Sequence, residues 1–411
     1  MGLQMRLLIR RSAAVLNKAA AGVVCLVLLA GCGDTFRPVA NPIPQPGGNP
    51  VGTIENSIVL ATNGTSAGTT TNINVSGDTV VAVLPVGVYP VHAAFIGSGL
   101  FVANRDGDSL SAYPASAGPG ASVTTITLPA GAKPLFVAST DNTNVYVAQS
   151  GTNSVGIVSL ATLAEVNSIT DASISTPAAI AQLPNGSKIY VANKGSGKVT
   201  VIDSATFIIK GAITVGTTPS AIVASPDGNC VYVANQGSGT VTVIKASDDT
   251  NPAGAITVGA GPSFLRFDSK LQRVYVANTG GNSVSIINHA ADCSASTATT
   301  VMVGTAPTSV AALSDGTRAY VANSGSSNVS VILTSSNTVK TFGLSNAIAV
   351  GANPVSIGAS ADATRVVVAN NSGSISVIQT SNDTVIPGLN LTPTTGAIPV
   401  APNPRFVLMN P

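Results

Sequence analysis

The sequence predicts an all-β fold, a β-propeller of four-stranded antiparallel blades. Three observations carry this expectation. A motif centred on Tyr-Val-Ala-Asn recurs along most of the 411 residues, with successive copies 42 to 47 residues apart. A period in the low forties with four short strands per unit is that of propeller blades. The composition is that of buried strands and tight turns, 45% hydrophobic with 41 glycines and 25 prolines. Charged residues make up only 9% of the chain and the net charge is +2. That excludes the basic stripe of an electrostatic nucleic-acid binder and the charge-rich, weakly hydrophobic make-up of a disordered chain.

The N-terminus stands apart from the repeats. Arg6, Arg10, Arg11 and Lys18 precede an apolar run over residues 19–30, too short for a bilayer span of about 20 residues. It ends in Leu29-Ala30-Gly31-Cys32. This order of charge, apolar run and small residues before cysteine resembles a bacterial lipoprotein signal. The resemblance implies that residues 1–31 are removed and that Cys32 carries the lipid. An uncleaved membrane anchor is the alternative. Two or three acyl chains would anchor the protein stably, and Gly33 after the lipidated cysteine points, by the same resemblance, to the outer membrane of a cell envelope. Residues 32–52, rich in Pro and Gly, read as a tether. The propeller is expected over residues 53–411.

Each repeat runs from a proline through a short apolar strand and a turn, often Asp-Gly, to Tyr-Val-Ala-Asn. A Gly/Ser loop, Val-x-Val-Ile and a last strand near Val-Gly-x-x-Pro follow. The clearest copies are YVANKGSGKVTVID (190–203), YVANQGSGTVTVIK (232–245), YVANTGGNSVSIIN (275–288) and YVANSGSSNVSVIL (320–333). Weaker ones begin at Phe101, Tyr146 and Val367. The motif ends on Asn104, Gln149, Asn193, Asn235, Asn278, Asn323 and Asn370, with Asn63 marking a degenerate copy. Asparagine suits a strand end entering a loop, because its amide bonds nearby backbone and it tolerates the left-handed region. Strand runs such as VYVA are apolar on both faces, as sheets buried on both sides require.

These motifs resemble the YVTN family of β-propeller repeats, over about residues 55 to 410. The family is seen in surface-layer-like and periplasmic or secreted propellers, commonly with seven blades. The resemblance speaks for the fold and not for one activity, because propellers host many.

The pre-strand prolines count the blades: Pro90, Pro134, Pro177, Pro219, Pro262, Pro307, Pro354 and Pro404. After Pro404 only PRFVLM remains, whereas the Asn63 copy lacks a first strand. Joined, they make one blade that closes a ring of eight. If the Asn63 copy is an appendage, the ring has seven. A monomer is expected.

Side chains alternate along the innermost strand. The residues three after each proline are mostly large and apolar and should pack between blades. The opposite parity should face the channel, where small residues dominate. His92, Phe136, Phe264, Arg266 and Phe406 stand out there as candidate lining residues. Cys230 precedes a second strand, and Cys293 lies in the third-to-fourth loop of the next blade on the same face. A disulfide between them, favoured by an oxidising compartment, and two free thiols both remain open.

No catalytic set converges. His92 and His289 are the only histidines, too few for the usual three- or four-ligand zinc sites. Asn104-Arg-Asp106-Gly-Asp108 has the oxygen spacing of a calcium loop, but Ala115 stands where a bidentate Glu belongs. The Gly-Ser-Gly segments precede strands, not the helix that a phosphate loop requires. No metal or cofactor is therefore expected. The resulting expectation is a non-enzymatic, lipid-anchored scaffold in the bacterial envelope that binds a protein or small-molecule ligand, with no nucleic acid. A propeller enzyme of lactonase or quinone-dehydrogenase type and a surface-layer or adhesin-like protein are the alternatives.

Overall fold

The computed structural model describes residues 56–63, 66–74, 79–386 and 403–409. The leader, Cys32 and the tether lie outside the described residues.

Blade 5 shows how the repeat becomes a sheet. Its strands run outward from the axis as Pro219–Ala224, Cys230–Asn235, Thr240–Lys245 and Ala255–Thr257. All six residues of Cys230–Asn235 are buried, while two of three are exposed in Ala255–Thr257. Burial thus peaks in the second strand and is least at the outer edge. The first turn, Ser-Pro-Asp-Gly, is closed by the Gly228 N–H donating to the Ser225 carbonyl at 2.9 Å, with Gly228 at φ +73°. Only glycine adopts that conformation without strain.

The described residues form eight such sheets. Blades 2 to 8 occupy residues 90–127, 134–170, 177–214, 219–257, 262–302, 307–349 and 354–385 in order. In blade 7 the outermost position is shared by Thr338–Val339 and Ile348–Ala349. Blade 1 joins the chain ends. Pro404–Met409 is its innermost strand and pairs antiparallel with Asn56–Asn63, with Ile58 opposite Leu408. It also lies between the innermost strands of blades 8 and 2, so the ring closes through hydrogen bonds and not through a loop.

Residues three after each proline are buried against the preceding blade, from Ala93 and Val137 to Val407. The opposite parity departs from the expectation that it lines the channel. Ala179, Ala181, Ala311, Ser309 and Ser356 are buried as well, and Ala179 and Ala181 join the core shared with blade 5. A blade has a neighbour on each side, so both parities of its innermost strand meet protein.

The motif asparagines also differ from the expected loop-entry role. Asn104 is extended (φ −101°, ψ 91°), and all seven marker residues are fully buried. The Asn278 amide donates to Ser283 and Ser285 Oγ at 3.1 and 3.0 Å, and Asn235 does the same to Thr240 and Thr242. The amide thus pins the second strand to the third. In five blades its room comes from the glycine three residues before the blade's proline. A Cβ on Gly259 would sit 2.6 Å from Ser283 Oγ and 2.7 Å from the Asn278 amide nitrogen. Gly87, Gly216, Gly304 and Gly351 stand against their own asparagines in the same way.

A second recurring device ties blades to each other. The first residue of the second strand reaches the third-to-outermost hairpin of the next blade. Lys188 Nζ meets Asp249 at 2.8 Å, Arg273 meets Asn337 at 3.1 Å and Arg318 meets Asp383 at 2.7 Å. At the junction of blades 5 and 6 the same two positions are Cys230 and Cys293, joined in a disulfide. Closing a loop of 63 residues is worth about 4 kcal/mol by chain entropy. The buried motif tyrosines support these staples, with Tyr190 donating to Asp249 at 2.6 Å and Tyr320 to Asp383.

Gly259→Ala should lower stability by about 1–3 kcal/mol, the usual range for overpacking. Gly211→Ala, in the open on an outermost strand, should change it by less than about 0.5 kcal/mol. Urea unfolding of the two variants checks both values.

Candidate ligand channel

Every innermost strand carries a bulge immediately after its proline. In blade 2 Pro90 pairs with Asn104 and His92 with Ala103, leaving Val91 unpaired; in blade 1 the unpaired residue is Arg405. A bulge re-aims the residues around it, so the residue after the proline leaves the interblade parity. Ser220 and Thr308 illustrate the result. Their hydroxyls donate to the carbonyls of Pro262 and Pro354, the prolines of the next blades, at 3.0 and 3.2 Å.

Three adjacent blades bring His92, Phe136 and Phe406 together. The His92 ring stacks on Phe136 with centroids 3.7 Å apart and an interplanar angle of 24°, and Phe406 lies 4.9 Å away. His92 Nδ1 accepts from the Val137 N–H at 3.3 Å. That bond leaves the proton of the neutral ring on Nε2. Burial among these rings pushes the His92 pKa down to about 3. At neutral pH the trio is an uncharged aromatic platform.

Phe264 and Arg266 come from blade 6, four blades round the ring from His92. Phe264 packs on the core shared with blade 7. Arg266 is exposed to solvent, yet desolvation by surrounding protein lowers its pKa, with the Asp268 charge acting the other way. Solvent contact inside a shell of protein is the condition of a side chain in a channel. The guanidinium still stays charged, given its ordinary pKa above 12. Asp268 is occupied elsewhere, accepting from the Lys270 and Leu271 N–H groups at 3.0 Å.

Arg405 and Tyr89 extend the site and were not among the sequence candidates. The Arg405 guanidinium lies over the Tyr89 ring at 5.1 Å, and Arg105 lies over the same ring at 3.9 Å. Asp106 neutralises Arg105 through a 2.8 Å ion pair. Arg405 has no carboxylate partner among the described residues, and its Nε is buried without a hydrogen bond. The missed signal was the bulge, because strict alternation assigns the residue after the proline to the wrong side.

The other histidine is held in a structural chain. His289 Nδ1 contacts the Tyr232 hydroxyl at 2.8 Å and Nε2 contacts Asp227 at 3.0 Å. Ser225 donates to the Asp227 carboxylate and not to the imidazole, so His289 does not act as a base on Ser225. Burial would raise the Asp227 pKa, but hydrogen bonds from Ser225, Asn229 and His289 outweigh it and hold the group down to about 2. Asp108, from the loop with calcium-like spacing, accepts from the Gly131 and Lys133 N–H groups at 2.7 and 2.9 Å.

A ring of four-stranded antiparallel blades makes this chain a β-propeller protein. The family described as "Lactonase, 7-bladed beta-propeller" matches residues 159–256 and 213–308. No curated protein matches the chain. Among solved structures, dihydro-heme d1 dehydrogenase NirN is similar at 16% identity and TM-score 0.65, covering 88% of this chain and 79% of its own. Apo AztD from Citrobacter koseri is similar at 12% identity and TM-score 0.61, covering 87% and 98%. A putative 6-phosphogluconolactonase from Bacteroides uniformis is similar at 16% identity and TM-score 0.52, covering 74% and 98%. At these identities the likeness is one of fold.

The His92 pKa has a consequence for acid stability. The folded state holds His92 neutral, whereas the unfolded chain protonates it near pH 6.5. The unfolded state therefore binds more protons between pH 6.5 and about 3, and stability falls as pH drops through that window. In an NMR titration the His92 ring should remain neutral at pH 5, and His92→Phe should flatten the acid limb of the stability curve.

Proposed function

We propose that this protein is a binding propeller whose channel captures an anionic ligand with a flat apolar part. The observation that carries this reading is Arg266, a charged group in the channel with no ion-pair partner among the described residues. Arg405 adds a second cation without a carboxylate. The His92–Phe136–Phe406 platform offers a stacking surface that stays neutral at physiological pH. Among the described residues no carboxylate hydrogen-bonds to His92 or Arg266, so neither has the acid partner that would orient it for proton transfer. The arrangement suits retention better than turnover.

8-Anilinonaphthalene-1-sulfonate, an anionic aromatic probe, should bind at one site. Arg266→Gln should weaken it at least tenfold, since a charge-assisted hydrogen bond is worth about 1.5–3 kcal/mol. Unaltered affinity in that variant would remove the channel from consideration.

The family match over residues 159–308 favours one second reading, a lactonase-type enzyme. Hydrolysis of 6-phosphogluconolactone that disappears in His92→Ala would replace the binding reading with that one.

The sequence resemblance of the leader supports a place in the bacterial envelope, with Cys32 lipidated and residues 32–52 as tether to the outer membrane. The Cys230–Cys293 disulfide fits an oxidising compartment outside the cytoplasm. Cys32→Ser should abolish metabolic labelling with palmitate and release the protein from the membrane fraction. Labelling that persists would assign the anchor to another residue.

A further inference from the structure

The interblade staples are absent between blades 2 and 3 and also between blades 3 and 4, where Asn144 and Phe207 hold the two positions, and the contrast between these junctions is informative. Between blades 4 and 8 the first residue of the second strand is Lys188, Cys230, Arg273 or Arg318, and each is tied to the next blade. Between blades 2 and 3 the corresponding residues are Gly99 and Leu163, and Phe101 replaces the motif tyrosine. Leu163 occupies the hairpin position of Asp249 and Asp383. All three have positive φ, and each N–H donates to the carbonyl four residues earlier. A bulky residue bears that conformation less well than Asp or Asn, so backbone geometry does not explain the leucine. Nor does it explain Gly99, whose φ lies outside the left-handed region.

Gly99 leaves the room that a staple side chain would fill, and Phe101 and Leu163 remove the polar groups that would meet it. A cleft of about 430 Å³ opens where the staple would sit, within the range of small-molecule sites. Phe101 and Ile96, both 3% exposed, form its floor, and Leu160 and Leu163 line the blade 3 side. No charged side chain lines it. Asn142 Oδ1, accepting from the Gly97 N–H at 3.1 Å, fastens the two blades at the rim. The next junction shows what the space accommodates. There the hairpin residue is Phe207, whose ring packs on the core between blades 3 and 4.

We propose that the cleft between blades 2 and 3 is a binding site for an uncharged, ring-bearing small molecule, separate from the channel. The guest's ring takes the place that Phe207 fills at the neighbouring junction. A charged ligand is disfavoured because the lining offers no counter-charge to offset its desolvation.

The test uses the intact protein and the neutral fluorophore N-phenyl-1-naphthylamine. One saturable site is expected. Gly99→Lys with Leu163→Asp writes the Lys188–Asp249 staple into this junction and should lower affinity at least tenfold. A Cβ at Gly99 approaches the Phe101 ring edge at 3.1 Å, so the double variant strains the core slightly. Ser122→Trp, at the exposed rim, closes the mouth without altering a buried residue and should have the same effect. Loss of affinity in Ser122→Trp, with the probe located in the cleft of a soaked crystal, supports the proposal. No binding by the unaltered protein, or undiminished affinity in folded Ser122→Trp, overturns it.

Discussion

A short sheet that is apolar on both faces has no stable exposure to water, and most other features of this molecule follow from that constraint. Each blade buries both faces only by standing between two others. The first and last blades of an open array would each leave one face bare, so the array closes into a ring. The terminal strand Pro404–Met409 makes the closure one of backbone hydrogen bonds to Asn56–Asn63. The same constraint explains why both parities of the innermost strands are occupied by packing.

Within a blade, the buried amide of the motif asparagine and the glycine beside it act as one unit. The amide nitrogen finds acceptors in hydroxyls of the third strand, while the buried Oδ1 of Asn235, Asn278 and Asn323 takes no hydrogen bond. Between blades, the staples vary in chemistry while keeping their place: ion pair, charged hydrogen bond and disulfide occupy equivalent positions. A disulfide there does the mechanical work of a lysine and an aspartate. Equivalence of place across different chemistries makes a junction without any staple stand out.

Repetition makes departures from the repeat the natural places to look for function. Arg266 and Arg405 sit where most blades carry small or neutral residues, and His92, Phe136, Phe264 and Phe406 place rings where the other four blades carry alanine or serine. These replacements all fall on the innermost strands of their blades. The blade 2–3 cleft arises by the opposite route, through loss of bulk at Gly99 and loss of charge at Leu163.

The sequence alone determined the period and the strands, because these depend on local hydrophobic pattern and on the positions of proline and glycine, whereas the choice between eight blades and seven fell to the pairing of Asn56–Asn63 with Pro404–Met409. Eight pre-strand prolines, one without later strands, sufficed to foresee a shared terminal blade. His92, Phe136, Phe264, Arg266 and Phe406 were legible as channel candidates from strand parity. Tertiary structure alone decided which of them meet, since His92 and Phe406 are 314 positions apart in the chain yet their ring centroids lie 4.9 Å apart. It also decided the place of Arg405, because a bulge leaves no mark in the residue pattern and yet moves a side chain from one side of the strand to the other. The staples, too, are pairings some sixty residues apart, set by the rotation of one blade onto the next and not by any local preference.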